Sequence, residues 1–287
     1  MTRIAHISDL HILEDGHTLR SRSERLRLAY LSFGRPLDAE ERRRRLARAL
    51  AHVADAGADH LVITGDLTED GTDAQLEVLA DVLSEHGAHP DHVTIVPGNH
   101  DGYTDPGAWQ RAIDGPLRDY ARTSAASSVV VLDGAVLVAA HTMIGQRASS
   151  AAGELGGAQL QRIDHVARHF AGRRRAVVCV QHHGPVPRAI GPWQWLDGLR
   201  DHQAQRELLA KHAHLYVLHG HTHYAKDHAL TSREPARVFS AAAVADSEAP
   251  VRLYEARDGE LMPDYGCLSM RSITARATMG HAIVASQ

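Results

Sequence analysis

The 287-residue sequence predicts an α/β protein. Three observations carry this. Short apolar runs alternate with longer amphipathic ones, polar clusters follow directly on the apolar runs, and no repeat, low-complexity tract or Pro/Ser-rich linker breaks the alternation. Short apolar runs bounded by turn residues read as buried strands, and longer runs with apolar residues at helical spacing read as helices. Strands alternating with helices imply mostly parallel or mixed sheets.

Taken in order, strands are expected over residues 3–8, 60–64, 92–96, 129–132, 135–140, 176–181 and 215–219. Helices are expected over 39–56, 72–86, 158–170 and 203–212. The first helix rests on Leu46, Ala49, Leu50 and Val53, which share one face beside a very basic opposite one. Residues 14–37 form an insertion between the first strand and that helix. Leu26, Leu28, Tyr30, Leu31 and Phe33 make it apolar enough to be ordered, as a lid over the neighbouring motif or as a partner surface. Short strands without helices are expected from Tyr224 to Met262. Residues 263–287 lack periodicity and read as a C-terminal arm or tail, so the main domain is expected over residues 1–262.

Composition narrows the function classes. A net charge of -4, from 31 basic and 35 acidic residues, argues against a protein that grips long nucleic acid through its phosphates. The clusters Arg42–Arg45 and Arg173–Arg175 read as solvated faces. Cys179 and Cys267 are too few for a disulfide framework and fit a reducing interior. The segment after Met1 has no apolar leader pattern, and the most apolar stretch, 129–140, is broken by Asp133 and Gly134. A soluble, cytoplasmic protein with no membrane partner is expected. The apolar insertion and the tail leave room for a homodimer.

Five polar clusters occur in order, nearly all directly after a strand. They are Asp9-Leu10-His11, Gly65-Asp66, Gly98-Asn99-His100-Asp101, His182-His183 and Gly220-His221-Thr222-His223. In an α/β sheet, strand C-terminal ends share one edge and ligands bind in the crevice there. The clusters should therefore converge on one site, although 214 positions separate Asp9 from His223. Carboxylate, imidazole and amide oxygen without thiolate suit divalent ions such as Mn, Fe, Zn, Co or Ni. In the D-x-H of an extended strand, residues two apart share a side, so Asp9 and His11 can hold one ion. Glycines 65, 98 and 220 are expected to supply the unusual backbone angles of ligand loops. The clusters hold more ligands than one ion needs, which argues for two. A two-metal site clamps the attacking and leaving oxygens of an in-line displacement and lowers the pKa of bound water.

The ordered set D-x-H, G-D, G-N-H-D, H and G-H-x-H strongly resembles the calcineurin-like metallophosphoesterase superfamily, over about Ile4 to Leu261. That resemblance implies a four-layer α/β/β/α sandwich and two divalent ions (Mn2+, Fe2+/Fe3+ or Zn2+). It makes Asp9, His11 and His223 ligands of one ion, Asp66 the bridging carboxylate, and Asn99, His182 and His221 ligands of the other. His100 matches the catalytic histidine that protonates or stabilises the leaving oxygen, with Asp101 orienting its imidazole. The implied activity is hydrolysis of a small phosphodiester, such as a cyclic nucleotide, by a metal-bridging hydroxide. A phosphomonoesterase, a nuclease and a non-catalytic interaction protein are the rivals. Gly65-Asp66-Leu67 with Gly71, Val96 through Asp101, and Gly156 through Leu160 are similar to the bacterial cyclic-nucleotide and glycerophosphodiester phosphodiesterase branch.

Other residues read more plainly. His183 is expected to support the site or lie at the surface, His219 to be a hydrogen-bonded core residue, and His141 to pack or face solvent. Trp193 and Trp195 fit either a substrate wall or a core cap. Tyr103 and Tyr224 are candidate substrate contacts. Arg20, Arg22, Arg147 and Arg188 are the cations that a monoester would call on.

Overall fold

The computed structural model describes residues 1–120, 128–145 and 149–265. Among them are eleven strands and seven α-helices in two mixed sheets. The first sheet, in the order β11-β10-β1-β2-β3, joins β1 (Thr2–Ile7), β2 (His60–Thr64) and β3 (Val93–Val96) in parallel, with β10 (Arg252–Arg257) and β11 (Glu260–Pro263) antiparallel at one edge. The second runs β4-β5-β6-β7-β9-β8. Its parallel centre is β5 (Ala135–Ala139), β6 (Ala176–Val180), β7 (Leu215–His219) and β9 (Val238–Ser240), edged by antiparallel β4 (Val129–Val131) and β8 (Lys226–His228).

Period-two alternation within the strands builds the layers. In β2, Leu61 and Ile63 pack with Leu46 and Leu50 of α2 (Ala39–Asp55) and Leu76 and Leu79 of α3 (Asp73–Glu85). Val62 between them turns the other way and joins Val178, Val180 and Leu218 between the sheets. In β6, Val177 and Cys179 face Ile163 and Val166 of α5 (Gly156–Phe170) and Leu209 of α7 (His202–Lys211). The result is helix, sheet, sheet, helix, as expected. Each fully buried aliphatic side chain contributes about 1.5–3 kcal/mol relative to exposure.

The predicted strands over 60–64 and 215–219 are reproduced to the residue, and the others differ by a residue at one or both ends. Three short helices were not legible: α1 (Arg22–Ser32), α4 (Ala108–Asp114) and α6 (Gly191–Asp197). In α1 only Leu28, Leu31 and Ser32 are buried, so no apolar stripe marks it, although Ser21 and Glu24 form a capping box at its start. In α6 the opening Gly191-Pro192 reads as a breaker, yet proline is well placed in a first helical turn. One cluster is read differently in three dimensions. Arg42 is not on a solvated face but buried, bonded to the Pro36 carbonyl and 3.4 Å from Glu69. Of the expected tail, Pro263 belongs to β11, Asp264 receives Arg3 at 2.6 Å, and residues 266–287 lie outside the described residues.

The N-terminal end of β2, remote from the ligand edge, carries a testable titration. His60 is buried, its Nε2 is 2.8 Å from Thr94 Oγ1, and its Nδ1 has no partner. Burial, reinforced by His92, pushes its pKa down to about 4. Because the folded value is depressed, its contribution is intact above the unfolded value of about 6.5 and is lost as pH falls through the folded value. Urea unfolding should lose on the order of 2–3 kcal/mol between those limits from this group. His60→Gln should flatten the slope, and an unaltered slope would remove His60 as its source.

Candidate metal centre

Strand register brings the five clusters together. Ile7 lies beside Ile63 and Thr64 beside Val96, so the three loops of the first sheet leave at one level. Pairing continues past the strands: the amides of Asp9, His11 and Ile12 donate to the carbonyls of Gly65, Asp66 and Leu67 at 2.9–3.0 Å. In the second sheet, Gly220 N–H donates to the His182 carbonyl at 3.0 Å. Val244 and Ala245 N–H donate to the Ser8 and Asp9 carbonyls, tying the loop after β9 to the end of β1.

The backbone is strained where the candidate ligands sit. Asp9 (φ 54°), His11 (49°), Asp66 (48°), His221 (69°) and His223 (59°) all occupy the left-handed region that non-glycine residues rarely adopt. The expectation that glycines carry these angles holds only for Gly65, at φ 89°. Gly98 and Gly220 serve close approach instead. A Cβ on Gly98 would collide with the Asp66 carboxylate and amide, and one on Gly220 with Ser8 Oγ and Asp9 Oδ2.

Ligand atoms of Asp9, His11, Asp66 and His223 all lie within 4.8 Å of one another. His223 Nε2 is 3.4 Å from both His11 Nε2 and Asp9 Oδ1, while its Nδ1 is held by Asp246 at 3.0 Å. A second cluster adjoins the first. His182 donates from Nδ1 to the Thr64 carbonyl at 2.7 Å, which leaves Nε2 bare, 3.3 Å from Asp66 Oδ2. Asn99 donates from Nδ2 to Tyr103 Oη at 3.1 Å, and its Oδ1 is buried with no partner. His221 Nε2 is held by the Asp197 carbonyl at 2.7 Å and carboxylate at 3.0 Å, so Nδ1 is its free ligand atom. His183 groups with His182 and His221, but both its nitrogens are committed, to Thr142 Oγ1 and the Ala151 carbonyl at 2.7 Å. Neither nitrogen is left free of a partner.

Two orphaned buried atoms, His182 Nε2 and Asn99 Oδ1, and a donor set without thiolate fit a pair of divalent ions. The electrostatics agree. Burial alone would raise the carboxyls of Asp9 and Asp66, yet His223 holds the first below its usual range and His182 with His100 holds the second well below. Conversely, burial would lower His182, but Asp66 and Asp9 raise it to about 9. Against the same penalty, Asp246 and Asp9 raise His223 to about 10. The two carboxylates thus demand positive charge at this edge. His11 is kept neutral by burial and by Arg35 and His100.

His100 Nδ1 donates to the Glu69 carbonyl at 2.6 Å, its backbone N–H donates to Asp66 Oδ1 at 2.8 Å, and its ring packs edge-on against His11 and Tyr103. The expectation that Asp101 orients this imidazole is corrected. Asp101 instead accepts from the amides of Leu67, Thr68 and Gly98 and from Thr68 Oγ1, at 2.6–3.1 Å. A single 3-10 turn over His100–Gly102 sends the neighbouring side chains apart. Burial, with Asp66, raises the Asp101 carboxyl to about 6.

A cleft of about 590 Å3 opens onto Asp66, Asn99, His100, His221 and His223. Tyr103, Tyr224 and Trp193 line it, whereas Trp195 lies under Arg200, whose Cζ is 5.5 Å from its ring centroid. His141 is half-buried and bound through its backbone to Gln159, outside the cleft lining. His219 is buried with Nδ1 donating to the Gly220 carbonyl and Nε2 unpartnered. Arg20 is committed to Glu14 and Asp70, and Arg188 to Asp197. Arg22 does not line the cleft, and Arg147 lies outside the described residues. Sequence reasoning missed Asp197, Asp246, Glu69 and Arg35, since only folding brings these isolated side chains to the site.

A family model described as calcineurin-like phosphoesterase matches residues 2–225. The chain belongs to this family. Its members bind a dinuclear divalent metal centre and are metal-dependent phosphoric ester hydrolases. No curated protein shows significant similarity to the chain. Among solved structures, a dimetal phosphatase from Danio rerio is similar at 14% identity and TM-score 0.59, covering 90% of this chain and 93% of that one. The protein TT1561 of Thermus thermophilus is similar at 14% identity and TM-score 0.52, covering 92% and 98%. A putative 5'-nucleotidase from Staphylococcus aureus, in complex with alpha-ketoglutarate, is similar at 12% identity and TM-score 0.50, covering 91% of this chain and 52% of that one. These likenesses establish the fold. Among the described residues, no helix is long and apolar enough to cross a membrane.

Stripped protein reloaded with Mn2+ should hold about two ions per chain by elemental analysis, and Asp66→Ala should lose both. Asp197→Asn and Asp246→Asn, which loosen His221 and His223, should each weaken one ion about 10–100-fold in a competitive chelator titration. Unaltered affinities would show that these carboxylates do not support ligands.

Proposed function

We propose that the chain is a phosphodiesterase acting on a small phosphodiester, a class that includes cyclic nucleotides. The observation that carries this reading is the charge of the cleft. Arg35 is the one Lys or Arg side chain lining it among the described residues, and it is already matched by Glu69 at 2.6 Å. A monoester dianion would call for free cations beside the metals, whereas a diester monoanion needs only the metals themselves.

In this reading Asp9, His11, Asp66 and His223 hold one ion, and Asp66, Asn99, His182 and His221 the other. When bound, such a pair supplies Lewis acidity and hydroxide near neutral pH. The chain's own residues do the rest. Tyr103 fixes the Asn99 amide so that its oxygen faces the site, itself donating to the Ser150 carbonyl at 3.2 Å. His100, anchored through Nδ1, has Nε2 left to carry a proton to the departing ester oxygen. Asp101 ties the loop after β2 to the loop after β3 and so sets the height of His100 above Asp66.

The Mn2+-reloaded chain should hydrolyse bis(p-nitrophenyl) phosphate faster than p-nitrophenyl phosphate. His100→Ala should keep its metal and lose about 10²–10⁴-fold in turnover. Faster monoester turnover would replace this reading with a phosphomonoesterase, and full activity in His100→Ala would remove the role given to His100.

A further inference from the structure

The walls of the cleft are unlike its floor. Tyr30 and Phe33 enter from α1 and the residue that ends it, Trp193 and Leu196 from α6, and Tyr224 from the segment after His223. All five are exposed, Phe33 at 90% and Trp193 at 55%. Large apolar side chains gathered at one exposed place mark a binding surface, whereas single scattered ones do not. Here they are continuous with the metal centre.

Phe33 supplies a second, independent observation. It is the C-cap of α1 and sits in the left-handed region at φ 49°. That position ordinarily goes to glycine, and Gly34 is the next residue. A bulky aromatic held there in solvent gains nothing from packing, so its strain is offset elsewhere. The helix beneath it is well anchored, since Leu28 packs with Leu13 and Ala39. On the other wall, α6 is tied to the centre itself. Its last residue, Asp197, holds His221, and the Leu196 carbonyl accepts from Ala151 N–H at 2.8 Å. Gln194 locks the same helix through the Leu199 carbonyl and the Arg188 amide. The rim is therefore pre-organised relative to the metal ligands.

We propose that Tyr30, Phe33, Trp193 and Leu196 form a subsite for a flat aromatic group carried by the phosphate ester, and that Phe33 and Trp193 are its specificity-determining residues. The assignment rests on the phosphoesterase reading of the same centre. Flat ring faces favour offset or edge contacts with a planar group, and stacking on aromatic side chains is tolerant of which planar group it is.

The test compares diphenyl phosphate with dimethyl phosphate, which carry the same charge and differ in their aromatic groups. Isothermal titration of the Mn2+-loaded His100→Ala chain, in which turnover is suppressed, should show the diphenyl ester bound about 10-fold tighter or more, and the variants below are made on that background. Phe33→Ala and Trp193→Ala should each shrink that ratio about 3–10-fold, through the diphenyl ester alone. Phe33→Gly should shrink it equally while raising the unfolding temperature, because the strain is relieved. Equal binding of the two esters, or a ratio untouched in all three variants, overturns the proposal. So does a dimer that Phe33→Ala dissociates in sedimentation while the ratio stays constant, since the rim would then be an interface between copies. The phosphoesterase reading fails separately: loss of the ratio in the variants, with no turnover of any ester by the chain that retains His100, would keep the subsite and discard the activity.

Discussion

Two carboxylates removed from water, Asp9 and Asp66, set the terms for the rest of the site. A buried ionised carboxylate is costly unless paired, and two in one cluster are costlier still. The surroundings are arranged against that cost. His182 and His223 are drawn toward the charged form, backbone N–H groups of His100 and His221 point at the carboxylates, and Asp66 Oδ2 lies 3.3 Å from His182 Nε2. Beside it, Glu69 sits between Arg35 and Arg42 and lies 3.8 Å from His11 Nδ1. The two arginines nearest the centre thus share a single carboxylate.

Holding this arrangement requires backbone that local preference opposes. Five candidate ligand residues in the left-handed region cost about 1–3 kcal/mol each if unsupported. The support is the extension of the sheets beyond their strands. The amides after β1 continue to pair with the carbonyls after β2, and Gly220 continues the pairing of β7 with β6. Packing between the sheets, through Val62, Val178, Val180 and Leu218, keeps the two edges in register. Core packing and ligand geometry are therefore one problem. A one-residue slip of either sheet would part His182 from Asp66 and turn apolar side chains out of the core together.

The sequence announced the fold wherever burial followed a simple period. The strands at 60–64 and 215–219 are continuous apolar runs closed by turn residues, and they are found where the pattern puts them. The ligand clusters were legible for the same reason, since each marks a strand end. What escaped was anything set by space rather than by chain order. Asp197 and Asp246 are single carboxylates in segments with no pattern, and their partners lie 24 and 23 positions away. Asp101 was misread because adjacency to His100 in sequence is not adjacency of side chains in a 3-10 turn. Helix α1 escaped because it is half exposed, and that exposure is what turns Tyr30 and Phe33 toward the cleft.

The division between floor and walls follows from where each can be built. A metal centre needs ligand atoms held in fixed positions, and only strand ends tied by ladder hydrogen bonds provide that here. Recognition of the organic part of an ester needs area rather than precision, so it can be carried by short helices outside the sheets. Those helices contribute little to the core, which leaves Phe33, Trp193 and Leu196 free of packing duty. Asp197 joins the two parts, because one residue both ends the wall helix and steadies His221. An occupant pressing on α6 would act on the residue that holds His221, so in the proposed reading the wall that grips the ester's organic group would be mechanically linked to a residue that would hold an ion.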